Sequence, residues 1–531
     1  MKLTRMYRST ARRYRQMAVV LVVMLGLAAC APVVPPGDRT TPPPAPPTAA
    51  KDTPPAVTPT VSPTASPQAA LPDWQDWSRY QAALRPEAQS ALETLANPVQ
   101  YRIEVAFDPD AQRLHGTQWI HYTNQTGETL TQLPLRLYPN LRTSPPNLTV
   151  SEVTVDGQPV TTELTAADTA LLVPLTTPLA PGATTDIYLE FGATVPAGSG
   201  GNYGTYSFNE NVVALAQFYP TVPAYGSTGW DLEVPSPLGD VTTADAGLYE
   251  VLFTVPTGMV VASTGSTLTT TSNSDGTTTW HLVSGPAREF NIVASADYQK
   301  SSQQVGDVTV NSYYPPASTE GGERALSWSV DALETFETLF GPYPYRELDV
   351  VATPNEALGV EYPGLIAMAS RIYEGEDTYF EFATAHEVAH QWWYNEVGND
   401  QVEEPWLDEA LAQYSTMLYY ADQYGARGRE GARQSFIERW DRVRAENDQP
   451  VGLPVDAYAD RAYGAIVYGK GPLFLEALRA EMGDEAFAQL LKDYLTTYRW
   501  RIARGEDFLA LAEKTCDCQL DALYAEWVTG P

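Results

Sequence analysis

One short stretch dictates two helices that must meet: His386-Glu387-Val388-Ala389-His390, followed by Trp406-Leu407-Asp408-Glu409-Ala410. An α-helix advances 3.6 residues per turn, so histidines at i and i+4 leave the same face and offer two imidazole nitrogens to one ion. A catalytic zinc takes three protein ligands and keeps a fourth position for water, and Glu409 is the natural third. Glu387 sits one position round from His386, too far to ligate and well placed to take a proton from a bound water. The whole chain has only five histidines, which makes this pairing a specific signal. Any fold adopted here must carry the Glu409 helix back onto the histidine helix.

The 531 residues leave room for two or three domains with substantial cores. Against 65 acidic residues stand 33 basic ones, a net charge of −32, and six of the basic residues precede residue 16 in a segment expected to be removed. So acidic a surface repels nucleic acid and anionic lipid, which disfavours a nucleic-acid function. Residues 1–29 combine a basic start with a short apolar run ending Leu27-Ala28-Ala29-Cys30, too short to span a bilayer and typical of a secretory signal. The ending resembles a bacterial lipobox, which implies cleavage before Cys30 and a lipid on that cysteine. An uncleaved signal anchor is the competing reading; either way the rest of the chain is exported and tethered outside the cytoplasm.

Residues 31–72 hold 14 of the 43 prolines, interleaved with Thr, Ala and Ser. Such a stretch buries no core, so 30–72 reads as an extended tether reaching roughly 130 Å at about 3.1 Å per residue. Beyond it, Tyr101 to Phe107 alternates apolar and polar side chains, Gln118 to Tyr122 follows, and similar strands recur to Phe290–Ala294 with turn residues between them. These predict an N-terminal β-sandwich over 73–305. His115, His121 and His281 fall within it as ordinary sheet residues.

Near Val308 the pattern changes. A helix is expected over 323–339, a buried strand over 348–352, another strand at 364–369 with a place at a sheet edge open to it, the histidine helix, and a helix from 407 to about 420 after Pro405. The remainder, to 531, is mostly helical, including 429–446. Cys516 and Cys518 stand one residue apart, a spacing that strains a mutual disulfide, so free thiols are the default expectation, with oxidation left open for an exported chain.

These residues resemble the aminopeptidase N family of zinc peptidases (peptidase family M-one), gluzincins whose third ligand is a glutamate on the following helix. The likeness rests on His386-Glu387-x-x-His390-Gln391-Trp392-Trp393 with Trp406-Leu407-Asp408-Glu409-Ala410, where Ala410 replaces a commoner Gly. It rests also on Leu358-Gly359-Val360-Glu361-Tyr362-Pro363-Gly364, with Leu358 and Val360 in place of the usual Gly and Met, and on Tyr468-Gly469-Lys470-Gly471. The resemblance covers roughly residues 95–531. It implies a saddle-like all-β domain followed by a thermolysin-like, mainly helical catalytic domain over 306–531, in a short form without the family's long C-terminal helical domain.

It further implies one zinc per chain on His386, His390 and Glu409, with Glu387 as general base and Tyr468 stabilising the oxyanion. Gly359 and Glu361 belong to the substrate-binding loop and edge strand, Glu361 holding the free α-amino group, and Gln217 in Gln217-Phe218-Tyr219-Pro220 supplies a second polar anchor. A second carboxylate is missing from that segment, so amine recognition is expected to rest mostly on Glu361. The expected activity is release of N-terminal residues from peptides with a free amino end. Two alternatives remain: a zinc endopeptidase or broader amide hydrolase on the same site, and an inactive tethered peptide-binding protein.

Overall fold

The computed structural model describes residues 72–198, 202–375, 377–459 and 461–530; the expected signal segment and nearly all of the expected tether lie outside the described residues. In Gln100–Asp108 the alternation holds: Tyr101, Ile103, Val105 and Phe107 are buried while Glu104, Ala106 and Asp108 are not. Thr184–Thr194 repeats it with Ile187, Leu189, Phe191 and Ala193. An apolar side chain buried in this way contributes about 1.5–3 kcal/mol for residues the size of Val, Leu or Phe, and the two-residue period fixes which face takes the benefit. Both strands belong to an eight-stranded sheet in which Gln100–Asp108 runs parallel to Gly247–Pro256 and antiparallel to Arg113–Thr123. A three-stranded sheet of Leu130–Arg136, Ala170–Leu179 and Glu163–Thr165 shares its core through Leu133, Leu135, Leu171 and Val173. The β-rich N-terminal part is therefore layered, as expected. His121 faces Asp186 across a strand pair at 2.7 Å and His281 faces Glu250 at 2.9 Å, which satisfies both in the sheet.

Gln299–Val305 and Val308–Tyr314 form a hairpin opening a five-stranded sheet, so the turn at 306–307 lies inside one sheet. Its order continues with Glu347–Thr353, Leu365–Ala369 and Glu361–Tyr362. The strand at Leu365–Ala369, for which an edge place was open, is interior, and the two-residue strand bearing Glu361 is the edge, as the resemblance implies for that segment. Leu348, Val350, Ile366 and Met368 point into the core built with Trp328 and Phe336 of the helix Thr319–Leu339. The alternate residues Val351, Leu365 and Ala367 pack with Val293 and Ala262, which come from a four-stranded sheet of the β-rich part. Burial on both faces explains why these strands read as continuous apolar runs. It also brings loops of the β-rich part to the edge where Glu361 lies.

Trp406–Asp441 is a single helical run broken in direction at Gly425, where φ is 67°. The break leaves one helical stretch on each side of Gly425, in keeping with the two helices expected at 407–420 and 429–446. Helices Gly471–Met482, Asp484–Tyr498 and Gly505–Cys516 complete the helical part. The free thiols expected at Cys516 and Cys518 are a disulfide, with Cα atoms 5.2 Å apart. The helix ends at Cys516 and Asp517 turns left-handed at φ 51°, which swings Cys518 back beside it. Among the described residues no helix is long and apolar enough to cross a membrane.

Candidate active site

Nearly every residue of the helix Asp377–Ala389 from Phe380 onward is buried, so its histidine face is held inside the protein rather than on a solvated surface. His386 projects from its last turn, His390 is the residue just past its end, and both meet Glu409 in the first turn of the following long helix. The Nε2 atoms lie 3.2 Å apart, and Glu409 Oε2 is 3.1 Å from that of His386 and 3.4 Å from that of His390. Ligands about 2.0–2.1 Å from a tetrahedral zinc stand about 3.3 Å from each other, so this triangle has the size such an ion needs. His390 donates from Nδ1 to the Trp393 carbonyl at 2.9 Å, which leaves the Nε2 lone pair aimed at the centre. Two imidazoles and a carboxylate, all buried, are the donor set for a borderline-soft divalent cation.

Glu387 lies beside this centre and is packed against the loop before Glu361. A methyl group on Gly359 would fall 2.3 Å from Glu387 Oε1, so only glycine lets the loop pass. Gly471 plays the same part elsewhere: a Cβ there would stand 2.7 Å from that of Ala410, so its absence lets the segment carrying Tyr468 close on the Glu409 helix. Tyr468 lies on a π-helical turn, Ile466–Lys470, and its hydroxyl donates to Glu409 Oε1. Lys470 pins that turn through Asp448 Oδ1 at 3.0 Å and the Gln449 carbonyl at 2.8 Å.

All eight residues singled out from the sequence, namely His386, His390, Glu409, Glu387, Tyr468, Glu361, Gly359 and Gln217, line one cavity of about 290 Å³. The segment 217–220 carries no carboxylate of its own, and a second one reaches the cavity from another part of the chain. Glu289, from the connection between two strands of the β-rich part, accepts from Gln217 Nε2 and, at 2.8 Å, from the Tyr394 hydroxyl. Its signal was the Arg288-Glu289 pair set among apolar strand residues. Arg288 is 1 % exposed and donates to the carbonyls of Tyr394, Ala244 and Arg501, which clamps the segment in place. Asp240, Gln401 and Arg439 also line the cavity and carried no sequence pattern. Gln401 Nε2 donates to Glu361 Oε1 at 3.0 Å and to Asp408 Oδ2 at 2.9 Å.

The electrostatics follow from crowding acids in a dry site. Burial drives the Glu387 and Asp240 carboxyls well above the usual range, with the Glu361 charge adding to both. Burial raises Glu361 too, and it pushes Glu289 up to about 7. Glu409 goes the other way: burial opposes its charge, but the two histidines outweigh that and hold it ionised. A site with this many buried carboxylates favours cations strongly.

A buried two-histidine, one-glutamate centre with an adjacent carboxylate, set between a layered β region and a helical region, defines the class of a metallopeptidase-like fold. Residues 324–527 match the Peptidase family M1 domain. Among curated proteins, Aminopeptidase M1-B of Oryza sativa subsp. japonica is 26% identical over 262 residues, covering 44% of this chain and 28% of that protein. Aminopeptidase RNPEPL1 of Homo sapiens is 29% identical over 238 residues, covering 41% and 32%. The matched part thus spans about a third or less of these relatives' length. Among solved structures, an M1 zinc metallopeptidase from Deinococcus radiodurans superposes with TM-score 0.62 at 22% identity, over 82% of this chain and 94% of that one. A mutant of that enzyme bound to a Tyr-Ser-Ala substrate gives TM-score 0.62 at 21% identity, over 81% and 94%. At such identities the likeness establishes the shared two-domain fold.

Proposed function

We propose that the chain is a zinc-dependent aminopeptidase that removes N-terminal residues from peptides, with one zinc per chain on His386, His390 and Glu409. The observation that carries this is the sharing of one cavity by a zinc-sized donor triangle, the buried acceptor Glu361 near His390, and the buried Glu289. Zinc, when bound, supplies Lewis acidity toward the scissile carbonyl and acidifies the attacking water. Glu387 takes the proton from that water and returns it to the leaving amine, as its position beside both ligands permits. Tyr468 exchanges Glu409 for the developing oxyanion as acceptor. Glu361 accepts from the substrate's α-ammonium, with Glu289 and Gln217 beside it, so only the first peptide bond reaches the centre.

The test is an aminoacyl reporter against its N-acetylated twin, with zinc content measured on the same sample. Leaving buried carboxylates without their cationic partner costs about 2–5 kcal/mol, so the free-amine substrate should be cleaved at least about 30-fold faster. Equal cleavage points to an endopeptidase or broader amide hydrolase; a zinc-loaded chain that cleaves neither is a binding protein. From residues 1–30 we further infer an exported lipoprotein, anchored through Cys30 and held off the membrane by the proline-rich tether. Mass analysis of the amino terminus reads this directly.

A further inference from the structure

Among the described residues, Arg439 is the only lysine or arginine lining the cavity. It projects from the far part of the long helix Trp406–Asp441, where Phe436, one turn earlier, packs its ring against Phe382 of the histidine helix at 6.4 Å. Its guanidinium makes no ion pair or hydrogen bond with any described residue; its recorded contact is the Tyr468 ring, 5.7 Å from the centroid. Other cavity polar groups are paired in place: Glu289 with Tyr394, Glu361 with Gln401, Tyr468 with Glu409. Half-buried at the wall of an acidic cavity and within the field of Glu409, its guanidinium keeps donors that an anionic group bound there can engage. Burial holds its pKa below the ordinary arginine value.

Position tells what it would meet. Glu361 groups with Glu387 and His390 on one side of the centre, whereas Arg439 groups with Tyr468, whose ring lies 6.1 Å from that of His386. A peptide whose amine is held at Glu361 and whose reacting carbonyl lies at Tyr468 therefore runs its leaving portion toward Arg439. The guanidinium lies within about 9 Å of the Tyr468 hydroxyl, the reach of one or two residues at about 3.3–3.6 Å each plus a hydrogen bond. We propose that Arg439 is a carboxylate-binding subsite on the leaving-group side of the cavity, which makes short peptides ending in a free carboxylate the favoured substrates. The proposal rests on the aminopeptidase reading for its polarity. An acidic side chain just after the cleaved bond offers the same chemistry.

The experiment uses the zinc-loaded chain and two substrate pairs: a dipeptide against its C-terminal amide, and a tripeptide amide with Glu against one with Gln after the cleaved bond. A charge-assisted guanidinium contact predicts about a tenfold higher kcat/KM for the carboxylate member, carried in KM. In Arg439→Gln that ratio falls to near one. The pair that shows the preference identifies whether the carboxylate is the chain end or a side chain. A merely structural arginine would slow both members alike and leave their ratio intact. Ratios near one in the wild type, or unchanged by the substitution, overturn the subsite. Calorimetric binding of the dipeptide and its amide to Glu387→Gln reads the same preference without turnover. A chain that binds the acid over the amide yet cleaves neither keeps the subsite and loses the aminopeptidase assignment.

Discussion

The two ends of the cavity are built by different means. The metal end comes from 24 consecutive positions, the end of one helix, the start of the next and the connection between them, and the spacing of its histidines is set by helical pitch. The proposed amine end draws Gln217 and Glu289 from the β-rich part, Glu361 from a sheet edge and Gln401 from a loop, so it exists only when the whole fold has closed. A site made locally is robust and generic. One assembled from distant segments can select among substrates, because each segment adjusts without disturbing the ligands.

The largest effect expected on this contrast is at the metal end. Glu387→Gln should keep one zinc per chain and lower kcat by about 10²- to 10⁴-fold, the range for a positioned general base. Single-turnover rates with metal content check it, and a near-normal rate removes Glu387 as the base. At the amine end, Glu289→Gln should depend on pH. The wild-type carboxyl, pushed up to about 7 by burial, is neutral on the acid side and charged above it. Gln matches the neutral form, so the wild-type advantage in kcat/KM for free-amine substrates should grow from near one at acid pH to about tenfold above pH 7. A flat ratio would remove Glu289 from amine binding.

The smallest effect lies in the sheet that joins the two ends. Burial raises Asp349 from 3.8 to about 7, while Asn311 donates to it at 2.7 Å. Its folded pKa is above the unfolded one, so its contribution to stability is fully present below about 3.8 and is lost as pH rises through about 7. Asp349→Asn should therefore raise Tm by a few degrees at pH 8 and little at pH 4, an effect thermal melts at the two values resolve.

Legibility followed the same divide. His386, His390 and Glu409 could be read because pitch turns spacing into geometry, and the strands of the β-rich part because a two-residue period separates faces. Gln401 could not, since no local period announces which way a loop side chain turns, and the Arg288-Glu289 pair marks a buried charge without saying which site, about a hundred residues further on, it reaches. The edge strand at Glu361–Tyr362 was legible through the family resemblance and not through periodicity, because two residues are too few to show a pattern. The cysteine pair was misread because spacing alone does not reveal the left-handed turn at Asp517.

Gln401 joins what the sequence kept apart. Both of its amide hydrogens are engaged, one on Glu361 and one on Asp408, whose other oxygen accepts from the Glu409 backbone at 2.8 Å. The carboxamide is therefore a rigid spacer between the acceptor proposed for the amine and the ligand proposed for the metal. In the proposed reaction it acts as a caliper: the jaws are set to one α-residue, and a substrate longer by a single backbone methylene would bring the wrong atoms to the centre.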